Sequence, residues 1–178
     1  LRVVGYGEVP ATLPPLTAAP RPLTTTIADR ARRALAAAGL TEAITFGFQA
    51  PARLEALGLP ADDRRAQPIA VRNPMSIDQA IMRTSLVPNL LAAIARNRSF
   101  GLPDVALFEV GSVFLRAAGQ PPTGEPSALA DEPTHAAIVL HGSRPRRFGA
   151  AEPWDAFDAK GFALTLARAL GAGDPAVA

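Results

Sequence analysis

The sequence predicts an α+β domain built on a mainly antiparallel sheet. Three observations carry this. Some segments repeat their apolar residues at helical spacing while others alternate or run continuously over a few positions; the two kinds follow one another without a regular strand–helix rhythm; and no internal repeat is visible. A chain of 178 residues is long enough for one sizeable domain that buries roughly 70% of its unfolded surface, and too short for a second full one. Apolar residues make up 48% of the sequence, but much of this is alanine, so the large Leu, Ile, Val and Phe positions mark the core.

The opening LRVVGYGEVPATLPPLTAAPRPL carries five prolines, a density that favours extended, semi-rigid linker conformations. Residues 1–22 are therefore expected to be the tail of a preceding module with its linker, and residues 23–178 the domain. TTTIADRARRALAAAGL sets Ile27, Ala31, Leu35 and Ala38 on one helical stripe, spaces Thr26 and Asp29 as a capping box, and places Gly39 where a C-terminal cap belongs. In TEAITFGFQ the alternation sends Ile44, Phe46 and Phe48 to one face of a strand and Ala43, Thr45 and Gly47 to the other. APARLEALGL starts a short helix at Pro51 and ends it at Gly58. PIAVRN predicts a second strand before the turn at Asn73 and Pro74.

A helix is expected from Ser85 to Pro88 onward, because serine caps and proline is tolerated in the first turn; Val87, Leu90, Leu91 and Ile94 form its inward face. DVALFEV and SVFLR read as strands about Gly111, a candidate hairpin, followed by a Pro, Gly, Ser and Ala loop from Ala117 to Pro133. HAAIVLHG is a fully apolar strand of the kind found inside a covered sheet. DAFDAKGFALTLARALG then repeats Phe162, Leu166 and Leu170 at four-residue spacing, a final amphipathic helix.

The functional classes narrow by exclusion. Without cysteine, disulfides, thiolate nucleophiles and sulfur-ligated metals drop out. His135 and His141 are the only histidines, and neither sits in a catalytic or metal-binding motif. Neither a GxxxxGK[ST] nor a GxGxxG loop is present to cradle phosphates. The 18 basic residues, among which Lys160 is the single lysine, face 16 acidic ones, so the formal charge of +2 is not a nucleic-acid footprint. No apolar run approaches the roughly 20 residues that span a bilayer, and a soluble, cytoplasmic chain is expected. The start at Leu1 without methionine and the thin end GAGDPAVA suggest a piece of something longer.

Two charged features stand out. The turn Arg144, Arg146, Arg147 reads either as an RNA-phosphate contact or as a solvated surface; it lacks the interleaved aromatics of a base-stacking platform. Glu109 interrupts an apolar strand, where an unpaired charge would be costly to bury. It must face solvent or be paired, and Arg83 is the basic residue in a comparable setting.

GYGEVPATLP, AAGLTEAITFGF, NPMS with MRTSLVPNLL, LFEVGSVF and DAFDAKG together resemble, in this order, the later part of the β subunit of bacterial phenylalanyl-tRNA synthetases. Each motif is weak alone, and their order and spacing make the likeness specific over most of the chain. The resemblance implies a class II aminoacyl-tRNA synthetase-like antiparallel sheet flanked by helices, in a non-catalytic copy truncated at its C-terminus. The parent enzyme joins phenylalanine to tRNA(Phe) with ATP and Mg2+, as an α2β2 tetramer whose α subunit retains catalysis.

In such folds a helix and the strand after it form the subunit interface. The matching stretch here is Gly39 to Phe46, with Phe46 where catalytic relatives have proline, and the helix of Ile27, Ala31 and Leu35 would pack on counterpart helices of the tetramer. The arginine that grips the ATP α-phosphate in catalytic relatives falls on Leu115; Arg116 comes one place later and points to the opposite strand face, and the third class II motif has no match. The resemblance thus implies no catalytic, cofactor-binding or metal-ligating residue in this chain. It leaves Ile27, Ala31, Leu35, Phe46, Arg83 and Glu109 as structural or interface candidates, and an RNA-binding turn at Arg144 to Arg147 as the alternative function.

Overall fold

The computed structural model describes residues 3, 5–8, 10, 12, 23–119, 129–144 and 150–172. Eight-residue strands β4 (Val105–Ser112) and β5 (Thr134–His141) pair antiparallel along their whole length and form the centre of the fold. The short β1 (Thr41–Glu42) joins β4 in parallel, giving the order β1-β4-β5. Two smaller pairs, β2 (Phe48–Gln49) with β3 (Ile81–Met82) and β6 (Ser143–Arg144) with β7 (Glu152–Pro153), are antiparallel. The helices are α1 (Leu23–Ala37), α2 (Pro51–Glu55), α3 (Val87–Ser99) and α4 (Ala156–Leu170), so the expected α+β, antiparallel-rich architecture is present.

Strand alternation divides β4 between two cores. Phe108 and Val110 face α1, where they bury Ala31, Leu35 and Leu40, and α4 covers this layer with Phe162, Leu166 and Leu170. Val105 and Leu107 face the other way, onto Leu86, Leu90 and Ile94 of α3 and its approach. The result is helix–sheet–helix layering, with Phe108, Leu35 and Leu90 all at 0% exposure. Each such side chain contributes about 1.5 to 3 kcal/mol of burial.

The helix ends follow local chemistry. Gly39, at φ +96°, closes α1: its N–H donates to Ala36 O and the Leu40 N–H to Leu35 O, the paired bonds of a Schellman cap. Asp155 and Asp158 form a reciprocal capping box at the start of α4. Pro51 opens α2 and Pro88 lies in the first turn of α3, as expected, with the Ser85 hydroxyl accepting from the Val87 N–H.

Several sequence expectations are corrected. Helix α1 begins at Leu23, so Thr26 lies inside it rather than capping it. The predicted strand is interrupted over residues 43–47, because among the described residues no strand pairs with its middle, 44–46; only its ends belong to β1 and β2. PIAVRN makes a single bridge, Ala70 to Ile81, and Leu115 of SVFLR bridges Asp131, so β4 makes its hairpin with β5 across the long loop. Leu91 turns out to be 47% exposed, and the inward face of α3 extends to the other side of Leu90, to Asn89. β5 stands at an edge of its sheet, and its first three residues are exposed. Most of residues 1–22, and with them the expected linker, lie outside the described residues.

Candidate functional site

Alternation along β4 puts Glu109 on the α3 side of the sheet, in line with Val105 and Leu107. Arg83, between β3 and α3, reaches it there: Nη1 lies 2.6 Å from Glu109 Oε1, and the two side chains are 7% and 4% exposed. The pairing expected from the cost of burying a lone charge is therefore present. Arg83 Nε also donates to Ser112 O at 2.8 Å, and the Arg83 N–H donates to Gly47 O at 2.9 Å. Gly111 makes room for the guanidinium, since a Cβ on it would stand 2.5 Å from Arg83 Nη2.

The pair holds a third residue. Glu109 accepts from the Thr45 N–H through Oε1 at 3.2 Å and from the Thr45 hydroxyl through Oε2 at 2.8 Å. Arg83 Nη1 donates to Thr45 O at 3.3 Å and to its Oγ1 at 3.0 Å. Next to it, Asn89 of α3 donates from Nδ2 to Phe46 O at 3.1 Å and Phe48 O at 3.2 Å. Thr45 and Asn89 were not singled out from the sequence. Their signals there are faint: a small polar residue on the inner side of an alternation, and an amide within an apolar helical stripe.

These inward bonds leave the other face of the segment turned out. Ile44 is 90% exposed, Phe46 74% and Phe48 39%, so three large apolar side chains form a ridge on the surface. A groove of about 530 Å³ runs beside it, lined by the ridge and by Asn89, Ala93 and Arg96 of α3, with Arg53 on its rim. An exposed apolar cluster with a polar rim marks an interaction site more often than isolated surface leucines do.

Other candidates resolve differently. Ala31 and Leu35, at 3% and 0% exposure, are consumed by the chain's own core under α4, and only Ile27, at 45%, stays open on that stripe. Arg116 is 6% exposed and donates from Nη2 to Pro68 O, so it points into the interior. Arg144 pairs with Glu152 and, at 2.8 Å, with Asp158; the Glu152 hydrogen bond holds its guanidinium above the ordinary arginine value. Arg146 and Arg147 lie outside the described residues. Among the described residues no group of three His, Cys, Asp or Glu side chains is placed to hold a metal ion, and no helix is long and apolar enough to cross a membrane.

The family model for the CLM domain of phenylalanyl-tRNA synthetase β chains matches residues 9–178. The chain belongs to this family. It is 43% identical over 178 residues to the phenylalanine–tRNA ligase β subunit of Anaeromyxobacter dehalogenans, covering 96% of this chain and 21% of that one. The β subunit of Streptomyces avermitilis is 38% identical over 190 residues, covering 96% and 23%. The chain thus spans less than a quarter of the length of these relatives. Among solved structures, pyrrolysyl-tRNA synthetase from Desulfitobacterium hafniense superposes with a TM-score of 0.60 at 15% identity, over 85% of this chain and 48% of that one. The likeness shows a shared fold, here an α+β arrangement with antiparallel-rich sheets.

Proposed function

We propose that this CLM domain is a non-catalytic scaffold and subunit-interface module of the cytoplasmic enzyme phenylalanine–tRNA ligase, and that the ridge of Ile44, Phe46 and Phe48 docks the α subunit. The whole enzyme, an α2β2 tetramer, would join phenylalanine to tRNA(Phe) with ATP and Mg2+ at the α subunit's site. Residues 23–178 would constitute the module and residues 1–22 the exit from the preceding one. The observation that carries the reading is the ridge: three large apolar side chains face outward although the backbone beneath them is held by a buried ion pair and an asparagine. An isolated surface would not keep that much apolar area in one fixed orientation, whereas a docking face needs it.

The chemistry of the remaining residues supports a scaffold. Arg83 is engaged by Glu109 and Thr45, Arg116 is buried, and by the resemblance Leu115 falls where catalytic relatives carry a phosphate-gripping arginine, which supports a scaffold rather than an ATP site. The alternative, an RNA-binding turn, loses Arg144 to two carboxylates. The test is co-elution with the α subunit in size-exclusion chromatography, with the full-length β chain as positive control. Co-elution that Phe46→Asp abolishes is expected. Undiminished co-elution of Phe46→Asp would exclude the ridge, and ATP–pyrophosphate exchange by this chain alone would exclude the scaffold role.

A further inference from the structure

Among the described residues Ile44, Thr45 and Phe46, between β1 and β2, have no partner strand, although Ala43 N–H still donates to Phe108 O and Gly47 O accepts from the Arg83 N–H; residues 43–47 nonetheless alternate strictly between outward and inward as in a sheet. At Thr45 the missing strand is replaced by side chains. A neighbouring strand would accept the residue's N–H and donate to its C=O. Here the Glu109 carboxylate accepts the N–H and the Arg83 guanidinium donates to the C=O, while the Thr45 hydroxyl bridges the two. A one-residue slip of this segment would turn Ile44 and Phe46 inward and Thr45 outward. The ion pair is therefore placed to decide which face the segment shows.

Building on the docking role of the ridge, we infer that Arg83, Glu109 and Thr45 are positioning residues for the α subunit, fixing the register and direction of Ile44 and Phe46 so that the docking face is formed before the partner arrives. Binding then costs little ordering of this segment, and the affinity depends on a charge pair that does not touch the partner. Gly111 belongs to the same device, because a methyl group there would stand 2.5 Å from Arg83 Nη2 and displace the guanidinium.

The experiment measures association of the full-length β chain with the α subunit, at a temperature well below each variant's melting point. Phe46→Ala is expected to weaken association at least about tenfold. Thr45→Val, which removes the bridging hydroxyl, and Gly111→Ala, which displaces Arg83, are each expected to weaken it by about tenfold as well, while Thr45→Ser keeps wild-type affinity. A role confined to stability would lower melting temperatures and leave these affinities alone. In the unbound wild-type chain, the Thr45 amide is expected to exchange hydrogen as slowly as the amides of β4; fast exchange at Thr45 overturns the inference without any variant. If Phe46→Ala weakens association and Thr45→Val and Gly111→Ala do not, the inference is overturned while the docking role of the ridge stands. If Phe46→Ala also leaves association unchanged, the ridge is not the docking face and the inference falls with it.

Discussion

Helix α1 and the segment 43–48 each collect their apolar side chains on one face, and the two faces meet opposite fates. Ala31 and Leu35 vanish beneath α4 and against Phe108, whereas Ile44, Phe46 and Phe48 face outward. Periodicity assigns residues to a face; it does not say what covers that face. In α1 the cover is supplied more than a hundred residues later by Phe162, Leu166 and Leu170. For the ridge no described element of this chain supplies one, and the inward side is occupied by small residues and hydrogen bonds instead of bulk.

The largest expected effect tests the support under the ridge. Glu109→Ala leaves Arg83 buried without its carboxylate and is expected to destabilise the chain by about 3 to 5 kcal/mol in urea unfolding; a loss below about 1 kcal/mol would show that the pair is solvated. Leu35→Ala, on the covered face, is expected to cost about 3 kcal/mol through its cavity, without altering affinity for the α subunit measured under folding conditions. A matching loss of affinity would mean that α1 belongs to the interface after all. Asp155→Ala removes the cap of the helix that covers α1 and is expected to cost about 1 kcal/mol, read as a lower unfolding midpoint. Phe46→Ala sharpens the contrast from the other side: with the ring 74% exposed, the stability change is expected to stay within about 0.5 kcal/mol while association suffers.

The smallest effect is a control belonging to neither face. Hydrogen bonds from Arg65 hold the Asp63 carboxyl at about 2, below its ordinary 3.8. A lowered carboxylate value contributes stability above the unfolded value and loses it as the pH falls through the folded one. Asp63→Asn is therefore expected to flatten slightly the acid decline of the unfolding midpoint between about pH 4 and pH 2, and an unchanged acid limb would show that the exposed pair contributes nothing.

Much of the helical part was legible in advance because its signals are local. Gly39, Pro51 and Pro88 act on backbone groups within a turn of themselves, and their elements start or stop where expected. The error at Thr26 has the same origin, since a capping box is a pattern that helix interiors also contain by chance. Among the site residues, Arg83 and Glu109 could be paired from sequence because a charge in an apolar strand has few affordable environments. Thr45, Asn89 and Gly111 could not, because their roles depend on which strands lie apart and which side chain fills the gap.

Local pattern alone thus decided where the helices and main strands lie, that Glu109 must be paired or face solvent, and which faces are apolar, since these follow from side-chain period, backbone hydrogen-bonding needs and the cost of a buried charge. Whether a given apolar face turns inward was decided only when the chain closed on itself. That outcome depends on what remote segments bring: α4 arrived over α1, and a carboxylate and a guanidinium arrived under Thr45 in place of a strand.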